Sequence, residues 1–361
     1  MSSPSVKYRS TLTLVLLGGA NLLVWLVALV TFRHHALVLG TASLAYTFGL
    51  RHALDADHIA AIDNVTRKLM QDGKRPLLVG FYFSLGHSTV VVLLSLLMAL
   101  AGSRIQTSFP AMMRVGGLIG TGVSAFFLLA IAVINFLVLR TMTGCFRRIK
   151  GGKPCDECDV NDTVNNLGIL TRIWRPVLSI VNRSWKMYGI GFLFGLGFDT
   201  ATEVALVGIS ATAATQGISI WSTLLFPLLF TSGMCLLDTA DGVFMVGAYG
   251  WAYVHPIRRL YYNMTITTVS IVFAVAIGVI EILGTVGDRF DLHGWMWKRI
   301  ASLGDHFGTI GAAMVCLFVG SWIASALCYR LLGYHRLEQG PVVSEQRYLR
   351  PNRVDCARPL A

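Results

Sequence analysis

The amino-acid sequence predicts an all-α protein that crosses a membrane eight times. Of its 361 residues, 54% are hydrophobic and only 14% are charged, and the mean hydropathy is positive. A soluble enzyme of this length carries more charge and less apolar surface. The apolar residues also fall into long runs, and a helix needs about 20 of them to cross the hydrocarbon core. The fold class is therefore a polytopic membrane protein.

Eight apolar segments are long enough to span the bilayer. They cover residues 11–32, 36–62, 77–102, 115–139, 187–212, 218–248, 264–286 and 309–332. The first is too long for the core of a signal peptide and lacks a clear cleavage site, so we expect an uncleaved span. The membrane region, 11–332, thus lies between a short N-terminal segment, 1–10, and a basic tail, 333–361.

The basic residues set the orientation of these spans. The net charge of +11 would suit a nucleic-acid partner if it were concentrated on one surface, but it is spread over the loops. With both termini in the cytoplasm, the cytoplasmic segments hold 23 Lys and Arg residues and the external loops hold six. Positively charged loops stay inside, so we predict that both termini are cytoplasmic and that no nucleic acid is bound.

The seven cysteines form no disulfide framework. Cys155 and Cys158 lie in the long predicted cytoplasmic loop, 140–186. A zinc site would need a second pair nearby, and the sequence has none. We interpret the two as cytosolic thiols. The tail carries only His335, so no histidine-rich metal store is present.

A weak internal repeat divides the spans into two sets. Phe-Gly-Leu occurs at 48–50 and again at 194–196, an offset of 146, and Phe-x-x-Gly occurs at 83–86 and 230–233, an offset of 147. Because spans 2 and 5 run in opposite directions, spans 2–4 and 5–7 would form an inverted repeat, a common plan for transporters. The alternative is chance matching among residues that membrane helices use heavily.

Span 2 carries the densest group of ionisable residues, Arg51, His52, Asp55, Asp57 and His58. Each costs about 2.5–3.5 kcal/mol at the bilayer centre on insertion scales. Imidazole beside carboxylate suits a borderline cation such as Ni²⁺, Co²⁺ or Zn²⁺. The alternative, that these groups only pair with one another, explains the arginine and one aspartate but not two histidines.

The spacing of this group conflicts with one regular helix. At about 100° per residue, Asp57 lies roughly 140° and His58 roughly 240° from His52. Asp55 lies about 60° from each histidine. Either the helix is broken near Gly49 or the residues face different neighbours.

Further polar residues lie at matching depth in other spans. Span 3 contributes His87, which is either a ligand or a hydrogen-bonded packing residue. Spans 5 and 6 each contribute an acidic pair at helical spacing, Asp199 with Glu203 in span 5 and Asp238 with Asp241 in span 6. Span 1 contributes the amide of Asn21. Six intramembrane carboxylates would cost more than roughly 15 kcal/mol in total, so we expect a cation-lined path. Pairing with Arg51 or with threonines, and helix association through Asn21, are the alternatives.

The order of these motifs resembles the nickel–cobalt transporter family. Residues 51–59 match its His-x4-Asp-His signature, and 85–91, 196–203 and 233–242 match its signatures in spans 3, 5 and 6. The resemblance implies eight spans and uptake of Ni²⁺, sometimes Co²⁺, across the bacterial inner membrane. The ion is then a substrate, with no cofactor and no obligate protein partner besides membrane lipid.

The resemblance also assigns roles. It puts His52, Asp57 and His58 at the centre of recognition and makes Asn21 tune nickel against cobalt. We predict that the metal contacts are His52, Asp57, His58 and His87. We expect the path and its supporting groups to be Asn21, Arg51, Asp55, Asp199, Glu203, Asp238 and Asp241.

Other functions fit the sequence less well. An intramembrane metalloenzyme or a zinc protease would carry HxxxH or His-Glu-x-x-His boxes, which the sequence lacks. A magnesium or calcium channel would use oxygen ligands only. A metal sensor would carry a signalling domain. Efflux through the same scaffold differs only in direction, which the resemblance alone assigns. We therefore predict a permease and not an enzyme.

Overall fold

The computed structural model describes residues 4–71, 73–101, 109–150, 182–197, 201–215, 218–252 and 256–331. Every regular element in these ranges is helical, which confirms the all-α class for this part of the chain. The α-helices are α1 Pro4–Phe32, α2 Ala36–Ala53, α3 Ala56–Gln71, α4 Val79–Ala101, α5 Phe109–Lys150, α6 Met187–Gly195, α7 Ala201–Thr215, α8 Ile220–Thr223, α9 Leu225–Ala252, α10 Pro256–Arg289, α11 Trp295–Asp305 and α12 Phe307–Leu331.

Several of these helices are long and apolar enough to cross a membrane. Among the described residues, four helices satisfy this test on their own, α1, α4, α5 and α10, and so does the stretch Ile220–Ala248, which joins α8 to α9. A sixth span results if α11 and α12, which meet at 66°, are taken together. The chain therefore has the length and composition of a multi-pass membrane protein. The predicted spans 36–62 and 187–212 are each present as two shorter helices.

The first break separates α2 from α3 at Leu54 and Asp55. Aspartate favours a helix N-terminus because its charge complements the helix dipole there. The backbone carbonyl of Asp55 accepts a hydrogen bond from the amide of Ile59 at 3.2 Å, as the chain enters α3. The position of the break is therefore explained by the aspartate. Gly49, where the sequence suggested a break, lies inside α2.

Helix α3 runs further than the sequence suggested. Residues 63–71 were expected in a cytoplasmic loop, but they continue the helix, and Arg67 is fully buried. Helix α3 packs against α4, α5, α9, α10 and α12. This central position explains the error, because a helix covered on every side by protein tolerates polar residues that lipid would exclude.

The second break lies between α6, which ends at Gly195, and α7, which begins at Ala201. Residues 198–200 are outside the described part of the chain, and so is the predicted path residue Asp199. Residues 151–181, which include Cys155 and Cys158, and residues 332–361 also lie outside the described part of the chain. Residues 140–150, expected in the loop, extend α5 instead.

The broken helices pack closely against unbroken ones. Helix α2 lies on α9, and α6 lies on α4. A Cβ atom at Gly49 would overlap the backbone of Phe230 in α9, and one at Gly191 would overlap the backbone of Phe83 in α4. Glycine is needed at both positions because only its missing side chain lets the helix backbones approach this closely.

Candidate metal site

The first break brings three histidines together. His52 lies in the last turn of α2 and His58 in the first turn of α3, and their ring centroids are 4.5 Å apart. His87 of α4 completes the group, with its ring 4.7 Å from that of His52 and 4.8 Å from that of His58. The three residues are at most 3% exposed. Each offers a ring nitrogen within 4.8 Å of the others, an arrangement that could hold a metal ion.

Two carboxylates frame the imidazoles. Nδ1 of His52 lies 2.8 Å from Oδ2 of Asp55, and Nε2 of His87 lies 2.7 Å from Oε1 of Glu203. A proton on Nδ1 of His52 would be donated to Asp55, so that Nε2 is unprotonated and has a lone pair for a metal ion. That Nε2 atom lies 2.9 Å from Nε2 of His87 and 3.8 Å from Oε1 of Glu203. Two nitrogens and one oxygen therefore converge on one point.

His58 stands out because neither of its ring nitrogens has a hydrogen-bond partner among the described residues. A buried polar atom without a partner costs free energy, so such atoms in a folded protein call for an explanation. Nδ1 of His58 lies 3.8 Å from Oδ2 of Asp238, which accepts a hydrogen bond from Ser84 at 2.5 Å. A cation held by the imidazoles would satisfy His58 and gain from the charge of Asp238.

Two phenylalanines cover the site. The ring of Phe83 lies 4.9 Å from that of His58, and the ring of Phe230 lies 5.6 Å from that of His52. Apolar walls exclude water and lower the local dielectric constant, which strengthens the electrostatic interactions inside. Sequence reasoning did not assign these residues to the site, although both begin the repeated Phe-x-x-Gly pattern.

The remaining predicted residues lie at different distances from the three histidines. Asp57, half-buried in the first turn of α3, is not part of the converging group, although its charge acts on His52 and Asp238. Its role as a ligand stays a prediction. Arg51 is exposed, and its side chain and that of Asp55 both approach Gly308 of α12.

Asn21 serves as a link between helices. Its side-chain amide donates to the carbonyls of Leu17, at 2.9 Å, and of Ser232 in α9, at 3.1 Å. This is the helix-association alternative of the sequence analysis. Its connection to the histidines is indirect. Ser232 lies two residues beyond Phe230, and the ring of Phe230 lies beside that of His52.

Glu203 is closer to the histidines than the sequence analysis assumed. That analysis placed it along the path, whereas the structure brings its carboxylate into contact with His87. The residue lies in the first turn of α7, directly after the second break. Asp57 and Glu203 each lie in the first turn of the helix that follows a break, Asp57 in α3 and Glu203 in α7. The signal in the sequence is their separation of 146 residues, which equals the offset of the Phe-Gly-Leu pattern.

The fold and the cluster together define a class. This is a multi-pass membrane protein with a buried site of imidazole nitrogens and carboxylate oxygens, the donor set that borderline divalent cations prefer. The chain belongs to the family described as "High-affinity nickel-transport protein", whose NicO model matches residues 38–328.

Comparison with curated proteins agrees with the family. The chain is 52% identical to the high-affinity nickel transport protein of Cupriavidus necator, over 91% of this chain and 93% of that protein. It is 45% identical to the nickel transporter NixA of Staphylococcus aureus, over 82% and 87% of the two chains. It is 39% identical to the cobalt transport protein NhlF of Rhodococcus rhodochrous, over 80% and 82%. No solved structure matches the chain.

Proposed function

We propose that this protein takes up Ni²⁺ across the bacterial inner membrane and that His52, His58 and His87 recognise the ion. The observation that carries this proposal is the convergence of three buried imidazoles from two broken half-helices and a third helix. Its support from the comparisons is that proteins named as nickel transporters match most of the chain.

The chemistry of the donors supports nickel over the abundant hard cations. Mg²⁺ and Ca²⁺ prefer oxygen ligands, whereas imidazole suits Ni²⁺, Cu²⁺ and Zn²⁺. We assign Glu203 to the site as an oxygen ligand beside the histidines. Asp57 acts on the site through its charge or binds the ion directly. Because a relative is named a cobalt transport protein, Co²⁺ is the second substrate to test.

The proposal includes eight spans with both termini in the cytoplasm. Six spans come from the continuous helices and the bent pair, and the two broken pairs, α2–α3 and α6–α7, supply the others. The breaks support the inverted repeat, because Leu54 plus the offset of 146 falls at residue 200, directly before α7. Reciprocal packing of α2 on α9 and of α6 on α4 supports it as well. An experimental structure in which residues 36–71 and 187–215 do not superpose after a half-turn would contradict this repeat.

The membrane potential supplies enough energy for accumulation. A divalent cation that enters a cell with a negative interior gains about 4.6 kcal/mol per 100 mV. The sequence has no Walker A motif, so we propose transport without ATP hydrolysis by this chain.

Equilibrium nickel binding to purified variants, together with uptake of radioactive nickel, tests the proposal. We expect His52→Ala and His58→Ala to abolish high-affinity binding and uptake in correctly inserted protein. Glu203→Gln should weaken both but leave measurable binding, because an amide oxygen remains a weak ligand. His306→Ala, an exposed histidine outside the cluster, serves as the control and should behave like the parent. If the two alanine variants bind nickel normally while Glu203→Gln does not, the ion site lies elsewhere.

A further inference from the structure

A second group of polar side chains lies deeper along α3, and the proposed site does not use it. We call it the inner polar cluster. Hydrogen bonds join five of its members, Asp63, Asn64 and Arg67 of α3, Asn135 of α5 and Ser270 of α10. We add Thr66 and Thr267, which lie three residues from Asp63 and Ser270 on the same helices, and Asp241 of α9. Apart from Asp241, each is at most 5% exposed. So many polar groups in a membrane-embedded bundle need a functional or structural reason.

An ion pair forms the centre of the inner polar cluster. Nη2 of Arg67 donates to Oδ2 of Asp63 and to Oδ1 of Asn64, both at 2.9 Å. The hydroxyl of Ser270 donates to the same oxygen of Asp63 at 2.7 Å. Asn135 donates to Oδ1 of Asn64 at 2.5 Å. These bonds join α3 to α5 and α10.

The network is nevertheless incomplete. Five buried polar atoms have no hydrogen-bond partner among the described residues: Nε and Nη1 of Arg67, the hydroxyls of Thr66 and Thr267, and Oδ2 of Asp241. A purely structural network satisfies its buried groups, because a half-satisfied one is less stable than an apolar core. Oδ2 of Asp241 and the hydroxyl oxygens of Thr66 and Thr267 can face a cation, whereas the two nitrogens of Arg67 only donate hydrogen bonds. The three oxygens therefore indicate a place where a cation can bind in another step.

The inner polar cluster continues the line of the ion site. Asp63 follows His58 by five residues on α3, about 7.5 Å along the helix axis at 1.5 Å per residue. Asp241 follows Asp238 by three residues on α9, less than one turn, and Asp238 faces His58. A Cβ atom at Gly242, the neighbour of Asp241, would lie 3.8 Å from the side chain of Ile62, the neighbour of Asp63, so α9 and α3 pack closely at this level. From His58 to Asp63 on α3, and from Asp238 to Asp241 on α9, each helix runs toward its predicted cytoplasmic end.

We propose that Asp63 and Asp241, with the hydroxyls of Thr267 and Ser270, form a second, inner binding site for the transported divalent cation. The guanidinium of Arg67 neutralises Asp63 while the ion is held by the histidines, and it competes with the ion for that carboxylate. An all-oxygen site binds a borderline cation more weakly than imidazoles do. It therefore suits the step that releases the ion toward the cytoplasm.

This inference rests on the proposed function, and the first test uses Asp241→Asn. Nickel binding is measured on purified protein and nickel uptake on the same protein in liposomes. We expect unchanged high-affinity binding, because the histidines are intact, and uptake reduced by about tenfold or more. Asp291→Asn removes an exposed external carboxylate and is the matched control, with parental binding and uptake.

The second test removes the buried ion pair as a unit. Breaking one partner leaves an uncompensated buried charge and destabilises a protein, whereas removing both is often tolerated. The double variant Asp63→Asn, Arg67→Gln should fold and keep high-affinity binding, yet take up nickel about tenfold more slowly. Parental uptake by this double variant would show that the pair is only structural and would overturn the proposal.

The tests separate the two proposals. If the parent protein in liposomes does not take up nickel, the proposed function fails. If the parent does and Asp241→Asn matches it, only the inner site fails. Loss of high-affinity binding in Asp241→Asn also overturns the inner site, because Asp241 would then belong with the histidines.

Discussion

At the scale of single residues, Asp55 connects the break in the helix to the chemistry of the site. It stands directly before α3, where its carboxylate suits the helix N-terminus. The same side chain lies 2.8 Å from Nδ1 of His52, so it orients that ring and fixes its tautomer. Local structure and ligand geometry thus depend on one carboxylate, for which the sequence alone predicted only a place along the path.

We predict that Asp55→Asn weakens nickel binding by about 10–100-fold while the protein still folds, because an amide can accept the same hydrogen bond without the charge. Isothermal titration of nickel into purified protein measures the effect. Asp288→Asn changes an exposed carboxylate and should titrate like the parent. Equal affinities for Asp55→Asn and the parent would show that Asp55 has no role in holding His52.

At the scale of helices, close packing around glycine fixes the geometry of the ion site. Helix α2 carries His52 and lies on α9 at Gly49, while α4 carries His87 and lies on α6 at Gly191. Because these helices touch through backbone, a small shift at either contact moves an imidazole. We therefore expect the three ring nitrogens to stay within reach of one ion only while both contacts hold.

We predict that Gly49→Ala destabilises the protein by about 1–3 kcal/mol and lowers nickel affinity, because its methyl group would overlap the backbone of Phe230. Gly40→Ala offers a control in the same helix, since a Cβ at Gly40 meets no atom within 4 Å among the described residues. In detergent, the midpoint of thermal unfolding should be lower for Gly49→Ala than for Gly40→Ala. Equal midpoints would contradict the close contact between α2 and α9.

At the scale of the whole molecule, charge asymmetry sets the direction in which the chain is threaded. The basic loops, mostly between spans 4 and 5 and after span 8, should stay in the cytoplasm. Helix α11 precedes the sharp turn into α12, and its exposed residues include Trp295 and Arg299. With both termini in the cytoplasm, we expect α11 on the outer side and a path that leads from there toward the basic loops.

We predict that membrane-impermeant thiol reagents reach Cys155 and Cys158 only from the cytoplasmic side. These cysteines lie outside the described residues, and the prediction rests on the nine Lys and Arg residues of segment 140–186. Asp291→Cys in the external loop provides the opposite control and should be labelled in intact cells. Labelling of Cys155 or Cys158 in intact, sealed cells would reverse the topology.

The sequence by itself determined the all-helical membrane class, because hydropathy sums over neighbouring residues and needs no partner. It also identified His52, His58 and His87 as candidates, because ionisable groups at membrane depth are costly wherever they point. In the same way it singled out the acidic residues of spans 5 and 6.

Only the tertiary structure decided which of these groups meet. The break at Leu54 and Asp55 turns His58 toward His52, and packing of separate helices brings His87 and Glu203 to the same point. It also buries Arg67, which hydropathy had assigned to a loop. A charge in the sequence shows that a partner is required, but the partner comes from another helix, and its identity depends on packing that no local pattern contains.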